Sequence, residues 1–282
     1  MASAAPYHYK SIDYPGATGT EVSGINNAGQ MVGLYYAYPG APERGFLLSG
    51  GAFTAIDYPG AFATIPKGIS NTGQIVGQYY TCSSGYGCYY PFVYSAGTFT
   101  ALPDAPGSMP GTTNPFAINA SGQIAGWYVD SCFCTTHGFL YTAGVYTTID
   151  QPGFFQTSLS GLNDSGQIGG ASGQCWGCSQ GAGFTYQAGV FSQVAPPVSG
   201  DITPWIGINN AGDIVGTYYA GATPHAFLLS RAVYTLLDYP GAQWTVAEGQ
   251  VINSARQVAG IYLDAIGVLH GFIATPACAV CP

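Results

Sequence analysis

Three charged side chains with the potential for acid–base chemistry stand out in this sequence: Glu21, Lys67 and Glu248. They are conspicuous because charged residues make up only 6% of the 282 residues. Glu21 lies four residues before Ile25, and Glu248 lies four residues before Ile252. Two carboxylates held close together can divide their pKa values and do acid–base work, or they can hold a cation. These three residues are candidate catalytic or binding residues, and the structural alternative is that the two glutamates are merely solvated acids.

Cysteine is the second residue type with chemical potential. The eight cysteines fall into four close pairs: Cys82/Cys88, Cys132/Cys134, Cys175/Cys178 and Cys278/Cys281. An even, clustered count indicates disulfides and an oxidising compartment. We expect bridges within the first and third pairs, whereas a bond within the second pair would enclose one residue and be strained, so its partners stay open. Zinc would need two pairs to converge; the sequence therefore predicts disulfides, with no metal site and no cofactor.

The elements that carry these residues are copies of one unit. The glycine-rich words are "GINNAGQMVG", "GISNTGQIVG", "AINASGQIAG", "GLNDSGQIGG", "GINNAGDIVG" and "VINSARQVAG". Their shared apolar residue recurs every 44 to 49 residues, at Ile25, Ile69, Ile118, Leu162, Ile208 and Ile252. A phosphate-binding loop would be needed once and would be followed by a helix. The repetition instead indicates an Asn-Gly hairpin turn at one structural position.

Each unit contains four short apolar runs separated by turns. In the first unit, strand A ends at Ile25, strand B is "QMVGLYY", strand C is "RGFLLS" and strand D is "FTAIDYP". Four strands in 44 to 49 residues is the size of one blade of a β-propeller. The sequence therefore predicts an all-β chain, residues 1–282 forming a single domain, a six-bladed β-propeller with four antiparallel strands per blade.

The two ends of the chain complete each other in this arrangement. The sixth unit lacks a strand D, while "YHYKSIDYPGA" at residues 7–17 matches the strand D words and precedes the first strand A. We expect the N-terminal strand, residues 7–15, to pair beside residues 269–274, to complete the last blade and to close the ring. The predicted segments are the N-terminal strand 7–16 and units at about 17–60, 61–107, 108–153, 154–200, 201–241 and 242–276.

His225, Ala226 and Phe227 begin strand C of the fifth unit, and histidine holds the same place at His137 and His270. Through this His-Ala-Phe motif and the "GINNxGxIVG" and "GFL" words of all six units, the chain resembles the bacterial HAF-repeat family. The resemblance implies an extracellular repeat protein and carries no catalytic assignment.

Aspartates near the ends of strand D are the natural partners of these histidines. They are Asp13, Asp57, Asp150 and Asp238. A His–Asp hydrogen bond within or between blades would hold the blade edges together. Metal ligation is the less favoured alternative, because the histidines belong to different blades.

Charge and hydropathy exclude several function classes. With 5 Lys plus Arg against 13 Asp plus Glu, the net charge of −8 disfavours nucleic-acid binding. No apolar run reaches the roughly 18 residues of a membrane span. The start "MASAAPYHYK" shows no signal-peptide pattern, and because the cysteines favour an oxidising compartment we expect a removed signal and a secreted or cell-surface protein.

We predict a binding or structural module, with a glycan or another surface protein as partner. The expected ligand face carries the variable B-to-C loops 37–43, 81–89, 129–136, 171–181, 220–224 and 263–269. Aromatic residues ending strand B would stack on a sugar. The predicted binding residues are Glu21, Lys67, Glu248, Tyr36, Tyr80, Trp127 and Tyr219. The alternatives are a channel-mouth hydrolase or lyase using Glu21 and Glu248, and a self-associating subunit of an extracellular polymer or filament.

Overall fold

The computed structural model describes residues 7–82, 89–132, 134–174, 182–198 and 205–277. Within these ranges the regular secondary structure is β strand, in 24 strands. They form five sheets, none of which closes on itself. The all-β prediction is therefore confirmed, and no described helix is long and apolar enough to cross a membrane.

Four of the sheets contain four strands each. The first has β2 (Gly19–Ile25), β3 (Met31–Tyr36), β4 (Arg44–Ser49) and β5 (Ala52–Ile56). The second has β6 (Ala63–Ile69), β7 (Ile75–Tyr80), β8 (Tyr89–Ser95) and β9 (Thr98–Ala101). The third has β18 (Gly207–Ile208), β19 (Ile214–Ala220), β20 (Thr223–Ser230) and β21 (Val233–Leu236). The fourth has β1 (Tyr7–Ile12), β24 (Leu269–Pro276), β23 (Val258–Leu263) and β22 (Trp244–Val246).

The fifth sheet has eight strands and corrects the prediction of six separate blades. It contains β10 (Asn114–Ile118), β11 (Ile124–Val129), β12 (Thr136–Thr142), β13 (Val145–Thr148), β14 (Gln156–Leu162), β15 (Ile168–Gly173), β16 (Ala182–Gln187) and β17 (Val190–Val194). The third and fourth repeat units are joined by a single parallel pair, Thr136 with Gln156. That pair forms because the starts of β12 and β14 lie side by side. The described chain thus has four separate four-stranded blades and one double-width sheet.

The N-terminal strand pairs where the sequence predicted. β1 runs antiparallel to β24, from Tyr7 opposite Pro276 to Ile12 opposite Gly271. Ile12 is 5% exposed, so this strand also contributes to the core.

One phenylalanine of strand C is fully buried in every unit. These residues are Phe46, Phe92, Phe139, Phe184, Phe227 and Phe272. The repeated glycine of strand B makes room for them: a Cβ on Gly33 would overlap the backbone oxygen of Glu21 and the ring of Phe46. The "MVG" and "GFL" words therefore encode one packing unit between strands B and C.

The sheets pack side by side through their first strands. β2 packs on β6, β6 on β10, β10 on β14 and β14 on β18, while β22 packs on β19 and β20. β2 also packs on β23 and β24, so the first and last units are in contact. Strand A consequently lines a common axis, which has a turn end, where the "NNAG" turns lie, and an opposite end.

Candidate functional site

The turn end of the axis is built from one repeated asparagine. In the fourth unit, Nδ2 of Asn163 donates to Gln167 Oε1 (3.3 Å) and to the carbonyl oxygen of Asn209 (3.0 Å). Its Oδ1 accepts from the backbone N–H groups of Ser165 and Gln167. The same position is occupied by Asn26, Asn119, Asn163, Asn209 and Asn253, with Ser70 in the second unit. The prediction that this motif is a structural turn agrees with these contacts.

These asparagines also link neighbouring turns. Asn253 Nδ2 donates to the carbonyl oxygen of Asn26 (3.2 Å), which ties the last unit to the first. Asp164 accepts from Asn71 Nδ2 and Asn210 Nδ2, each at 2.7 Å. Burial acts to raise the pKa of Asp164, but donated hydrogen bonds, including one from the Ala120 amide, outweigh it and hold the pKa below its usual value. The pocket at this end measures only about 20 Å³, which is room for little more than a water molecule.

Between its two ends the axis is filled by side chains that the sequence analysis missed. Gln250 crosses it, with Nε2 donating to the carbonyl oxygen of Ile118 (2.6 Å) and Oε1 accepting from the Ile118 amide (3.2 Å). The rings of Phe116 and Trp205 stack with centroids 5.9 Å apart. Gln250, Phe116 and Lys67 share one repeat position, two residues before the apolar residue, where Ser23 stands in the first unit. The signal that could have found Gln250 and Phe116 is the variation at this one position inside an otherwise regular repeat.

At the opposite end the structure brings together the three charged residues that the sequence singled out, and adds others. We call five side chains the Lys67 cluster: Glu21, Tyr36, Glu43, Lys67 and Glu248. Burial lowers the pKa of Lys67, and the nearby carboxylates of Glu21, Glu43 and Glu248 act against that shift. The ammonium group also lies 5.2 Å from the centroid of the Phe116 ring, within cation–π range. Glu43 was missed because it lies in a variable loop, outside the repeat.

The pKa of Glu21 is perturbed in this cluster. Burial raises its pKa, against the hydrogen bond from Tyr36 and the charge of Lys67, which both lower it. The Tyr36 hydroxyl donates to Glu21 Oε1 at 3.0 Å. All five side chains keep a partly exposed surface. A carboxyl that protonates easily beside an amine that deprotonates easily can exchange protons, or can bind hydroxyl groups as donor and acceptor.

The other predicted binding residues are distributed unevenly. Tyr80 lies near the cluster. Burial raises the pKa of its hydroxyl, and the charges of Tyr89 and of Glu43, a member of the cluster, raise it further. Tyr219 is 40% exposed at the end of β19, and no described contact joins it to the cluster. Trp127 is partly buried on β11 opposite Asn114.

Trp127 and Asn114 have an unusual shared property. The indole Nε1 of Trp127 and Oδ1 of Asn114 are both buried without a hydrogen-bond partner. Asn114 occupies the repeat position of Glu21 and Glu248, four residues before the apolar residue. Unpaired polar atoms are uncommon in folded proteins, so this level of the axis has spare hydrogen-bonding capacity.

The first tyrosine of each strand B pair is structural instead. Tyr35 stacks on Tyr14 with centroids 3.6 Å apart, and Tyr79 stacks on Tyr58 at the same distance. These rings are therefore already occupied by protein.

The cysteines give a mixed outcome. The predicted bridge between Cys82 and Cys88 stays a prediction, while Cys132 and Cys134 are exposed free thiols, so the disulfide prediction is wrong for this pair. One intervening residue leaves these two no relaxed way to bridge each other, and each thiol donates to an oxygen nearby. The other predicted cysteines, Cys88, Cys175, Cys178, Cys278 and Cys281, lie outside the described residues.

The predicted histidine–aspartate hydrogen bonds are present. The pairs and their distances are His137–Asp150 at 2.6 Å, His225–Asp238 at 2.8 Å and His270–Asp13 at 2.6 Å, each through Nδ1. His270 is also 3.3 Å from Asp264 through Nε2. Burial acts to lower the pKa of His270, but Asp13 and Asp264 outweigh it and raise the pKa. These bonds join strands C and D, which is a structural role.

No protein-family model matches the chain, and no curated protein matches it. Solved structures do match. A putative TolB from Agrobacterium tumefaciens has a TM-score of 0.60 at 10% identity, over 92% of this chain and 91% of that one. A gluconolactonase from Xanthomonas campestris has 0.54 at 13%, over 97% and 98%. The β-propeller domain of the Trilobed protease from Pyrococcus furiosus, described as having an open velcro topology, has 0.53 at 9%, over 90% and 95%. At these identities the likeness concerns the fold alone, and the chain is a β-propeller.

Proposed function

We propose that this chain is a secreted or cell-surface binding module, and that its ligand is a neutral, hydroxyl-rich molecule such as a glycan. The observation that carries the proposal is the convergence of three carboxylates and the Tyr36 hydroxyl around Lys67. Such a set offers both hydrogen-bond acceptors and donors to a polyhydroxylated ligand. Phe116 and Trp205, which stack on each other beside the cluster, add an apolar wall next to these polar groups.

The proposal includes a finer description of the fold. We take the eight-stranded sheet as two blades that share one parallel pair, which gives six blades, with β1 as the closing strand of the last. The repeat of six turns and the Asn253–Asn26 hydrogen bond support this reading. In such a ring the ligand site lies at the end of the axis opposite the turns.

Location outside the cytoplasm is favoured by the even, clustered cysteine count of the sequence. The HAF-repeat resemblance points in the same direction. Quantifying the native protein in the culture medium, the surface-washed fraction and the cytoplasm of the source cell tests this part. Recovery from the cytoplasm alone would contradict it.

The binding proposal is tested by presenting neutral and acidic oligosaccharides on an array and measuring hits by titration calorimetry. We expect Glu21→Gln combined with Glu248→Gln to abolish binding, because each change removes a charge and replaces one acceptor oxygen by an NH2 donor. Asp164→Asn is the matched control, since it makes the same carboxylate-to-amide change at the turn end and should leave binding intact. An array without hits, or equal affinity in the double variant, contradicts the proposal.

A second function, a hydrolase or lyase at the same place, is favoured by one observation: the pKa values of Glu21 and Lys67 are displaced towards each other. Glu21 would act as the acid, Glu248 as the base and Lys67 as an electrostatic partner. Turnover of a bound glycan that stops in the Glu21→Gln variant while affinity persists would favour this function over binding alone.

A further inference from the structure

The loop between β11 and β12 brings two thiols and a carboxylate together. Sγ of Cys132 donates to Oδ2 of Asp130 at 3.1 Å, and Sγ of Cys134 donates to the carbonyl oxygen of Cys132 at 3.1 Å. One side-chain ligand atom from each of Asp130, Cys132 and Cys134 lies within 4.8 Å of the other two. Both cysteines are exposed, so a hydrated ion can reach them without any opening of the fold.

Asp130 is held in place for this role. Its Oδ1 accepts from the backbone N–H of Cys134 (2.8 Å) and of Thr135 (3.2 Å). That leaves Oδ2 on the side of the thiols. The carboxylate is therefore oriented before any ligand arrives, which lowers the entropic cost of binding.

The corresponding loop of the last unit shows that the turn does not require cysteine. Asp264 stands twelve residues after Ile252, as Asp130 stands after Ile118. Its Oδ1 accepts from the backbone N–H of Val268 (2.8 Å) and Ile266 (3.0 Å) in the same way. No cysteine is present in that loop. The thiols of the third unit thus add something that folding of the loop does not need.

We propose that Asp130, Cys132 and Cys134 form a binding site for a thiophilic divalent cation of the zinc type. Two thiolates and a carboxylate are a ligand set that Zn²⁺ uses, whereas Mg²⁺ and Ca²⁺ take oxygen ligands. With Zn–S bonds of about 2.3 Å, tetrahedral sulfurs stand roughly 3.8 Å apart, so sulfurs that lie within 4.8 Å of each other need to approach by at most about 1 Å. The ion displaces one proton from each thiol, no electrons are transferred, and water fills the fourth position.

The experiment uses the full chain in reducing buffer and titrates Co²⁺ as a spectroscopic probe, followed by Zn²⁺ competition. We expect one ion per chain, with sulfur-to-cobalt charge-transfer absorption that Zn²⁺ removes. Cys132→Ser combined with Cys134→Ser should lose this absorption, and Cys175→Ser combined with Cys178→Ser, the matched control, should keep it. Asp130→Asn keeps the turn acceptor and removes the charge, so it should weaken binding by roughly tenfold or more.

Three results would overturn the site. One is absorption that persists in the Cys132/Cys134 double variant and disappears in the control. Another is peptide mapping of protein purified without reductant that finds Cys132 and Cys134 in disulfides. The third is saturation by Cu⁺ with no binding of Co²⁺ or Zn²⁺, which would refute the cation type. Circular dichroism of each variant checks that the fold is retained.

Discussion

The two ends of the propeller axis are built on opposite principles. At the turn end the same asparagine recurs, and in the fourth unit both polar atoms of Asn163 are satisfied, by Gln167 of its own turn and by the Asn209 carbonyl oxygen of the next. At the other end, Lys67 and Glu43 depart from the repeat and lie in a cluster with Glu21 and Glu248, and burial displaces the pKa values of Glu21 and Lys67. Residues that the fold requires are repeated, and residues that depart from the repeat mark the candidate site.

Energetics separates the two ends in the same way. Buried polar groups that find partners stabilise a fold modestly, and removing one partner costs more than the bond itself contributes. Desolvated charges, by contrast, reduce stability unless their partners compensate fully. In the Lys67 cluster the pKa of Glu21 is raised and the pKa of Lys67 is lowered. The fold therefore disfavours both charged forms, which reduces its stability in a way that the turn end avoids. Groups retained in that state are typical of binding and catalytic sites.

The largest effect is expected from removing residues 1–16, which should disrupt both ends of the axis. β1 contributes six paired residues beside β24 and the buried Ile12. At about 1 kcal/mol for each lost hydrogen bond, the free energy of unfolding should fall by roughly 5 kcal/mol or more. Scanning calorimetry measures the change, and deletion of residues 1–6, which leaves β1 intact, is the control. An unchanged melting temperature would show that β1 does not hold the first and last units together.

The next effect is confined to the turn end. Asn163→Ala should lower the free energy of unfolding by about 3 kcal/mol, because it strands the Asn209 carbonyl oxygen and two backbone amides. The second unit provides the matched control: the Ser70 hydroxyl accepts from the amides of Thr72 and Gln74 and shares a hydrogen bond with the Thr72 hydroxyl, all within its own turn, so Ser70→Ala should cost about 1 kcal/mol. Urea unfolding compares the two. The distinction between the two ends would be wrong if both variants lost the same free energy of unfolding. It would also be wrong if Asn163→Ala, under conditions where it is fully folded, no longer bound the ligand.

These contrasts explain how much of the molecule the sequence could predict. The strands, the turns and the pairing of β1 follow from local sequence patterns that recur in six units. A weak pattern in one unit can therefore be interpreted from the clearer copies in the others. The join between the third and fourth units was missed because it rests on a single backbone pair, Thr136 with Gln156. Backbone pairing of that kind leaves no mark in the side-chain pattern.

The candidate site was harder to predict for the same reason. Glu21 and Glu248 could be found because they occupy equivalent repeat positions, and strand A places both beside Lys67. Glu43 and Trp205 lie outside the repeated words, so no pattern pointed to them. Cys132 and Cys134 were interpreted as disulfide-bonded from the even, clustered cysteine count, and the one-residue spacing indicated only that a bond between them would be strained. The contacts of the Asp130 turn, which hold the two thiols beside a carboxylate, leave no mark in that spacing.

A third prediction applies one chemical change to both ends. Glu21→Gln should raise the free energy of unfolding at pH 7 by up to about 1 kcal/mol, because it removes a charge that burial disfavours. Asp164→Asn should lower it, because hydrogen bonds in the folded state favour that charge. Asp164 is exposed, so solvent screening keeps its effect to about 0.5 kcal/mol. Chemical unfolding measures both, and changes of the same sign would break the comparison.

The pH dependence of that pair follows from the directions of the shifts. The folded pKa of Glu21 lies above its ordinary 4.5, so its destabilising effect develops as pH rises through 4.5 to the raised value. The gain in Glu21→Gln should therefore vanish near pH 3, where both states carry the proton. The folded pKa of Asp164 lies below its ordinary 3.8. Its stabilising effect is present above 3.8 and is lost as pH falls through the lowered value, so the Asp164→Asn difference should also shrink in acid.

The smallest effect concerns His270, which joins β24 to Asp13 beyond the end of β1. Its pKa is raised above 6.5 in the folded state, so its contribution is fully present below pH 6.5 and is lost as pH rises through the raised value. The His270 side chain is 21% exposed and Asp13 is 51% exposed, so screening reduces the contribution to about 0.5 kcal/mol. The melting temperature of the wild type should therefore fall between pH 6 and about 8, and in His270→Gln it should depend less on pH over that range. Asp264→Asn, which keeps its turn acceptor but loses the second carboxylate, should give an intermediate slope. Parallel profiles for the wild type and His270→Gln would mean that this histidine holds the last blade by hydrogen bonding alone, without a charge.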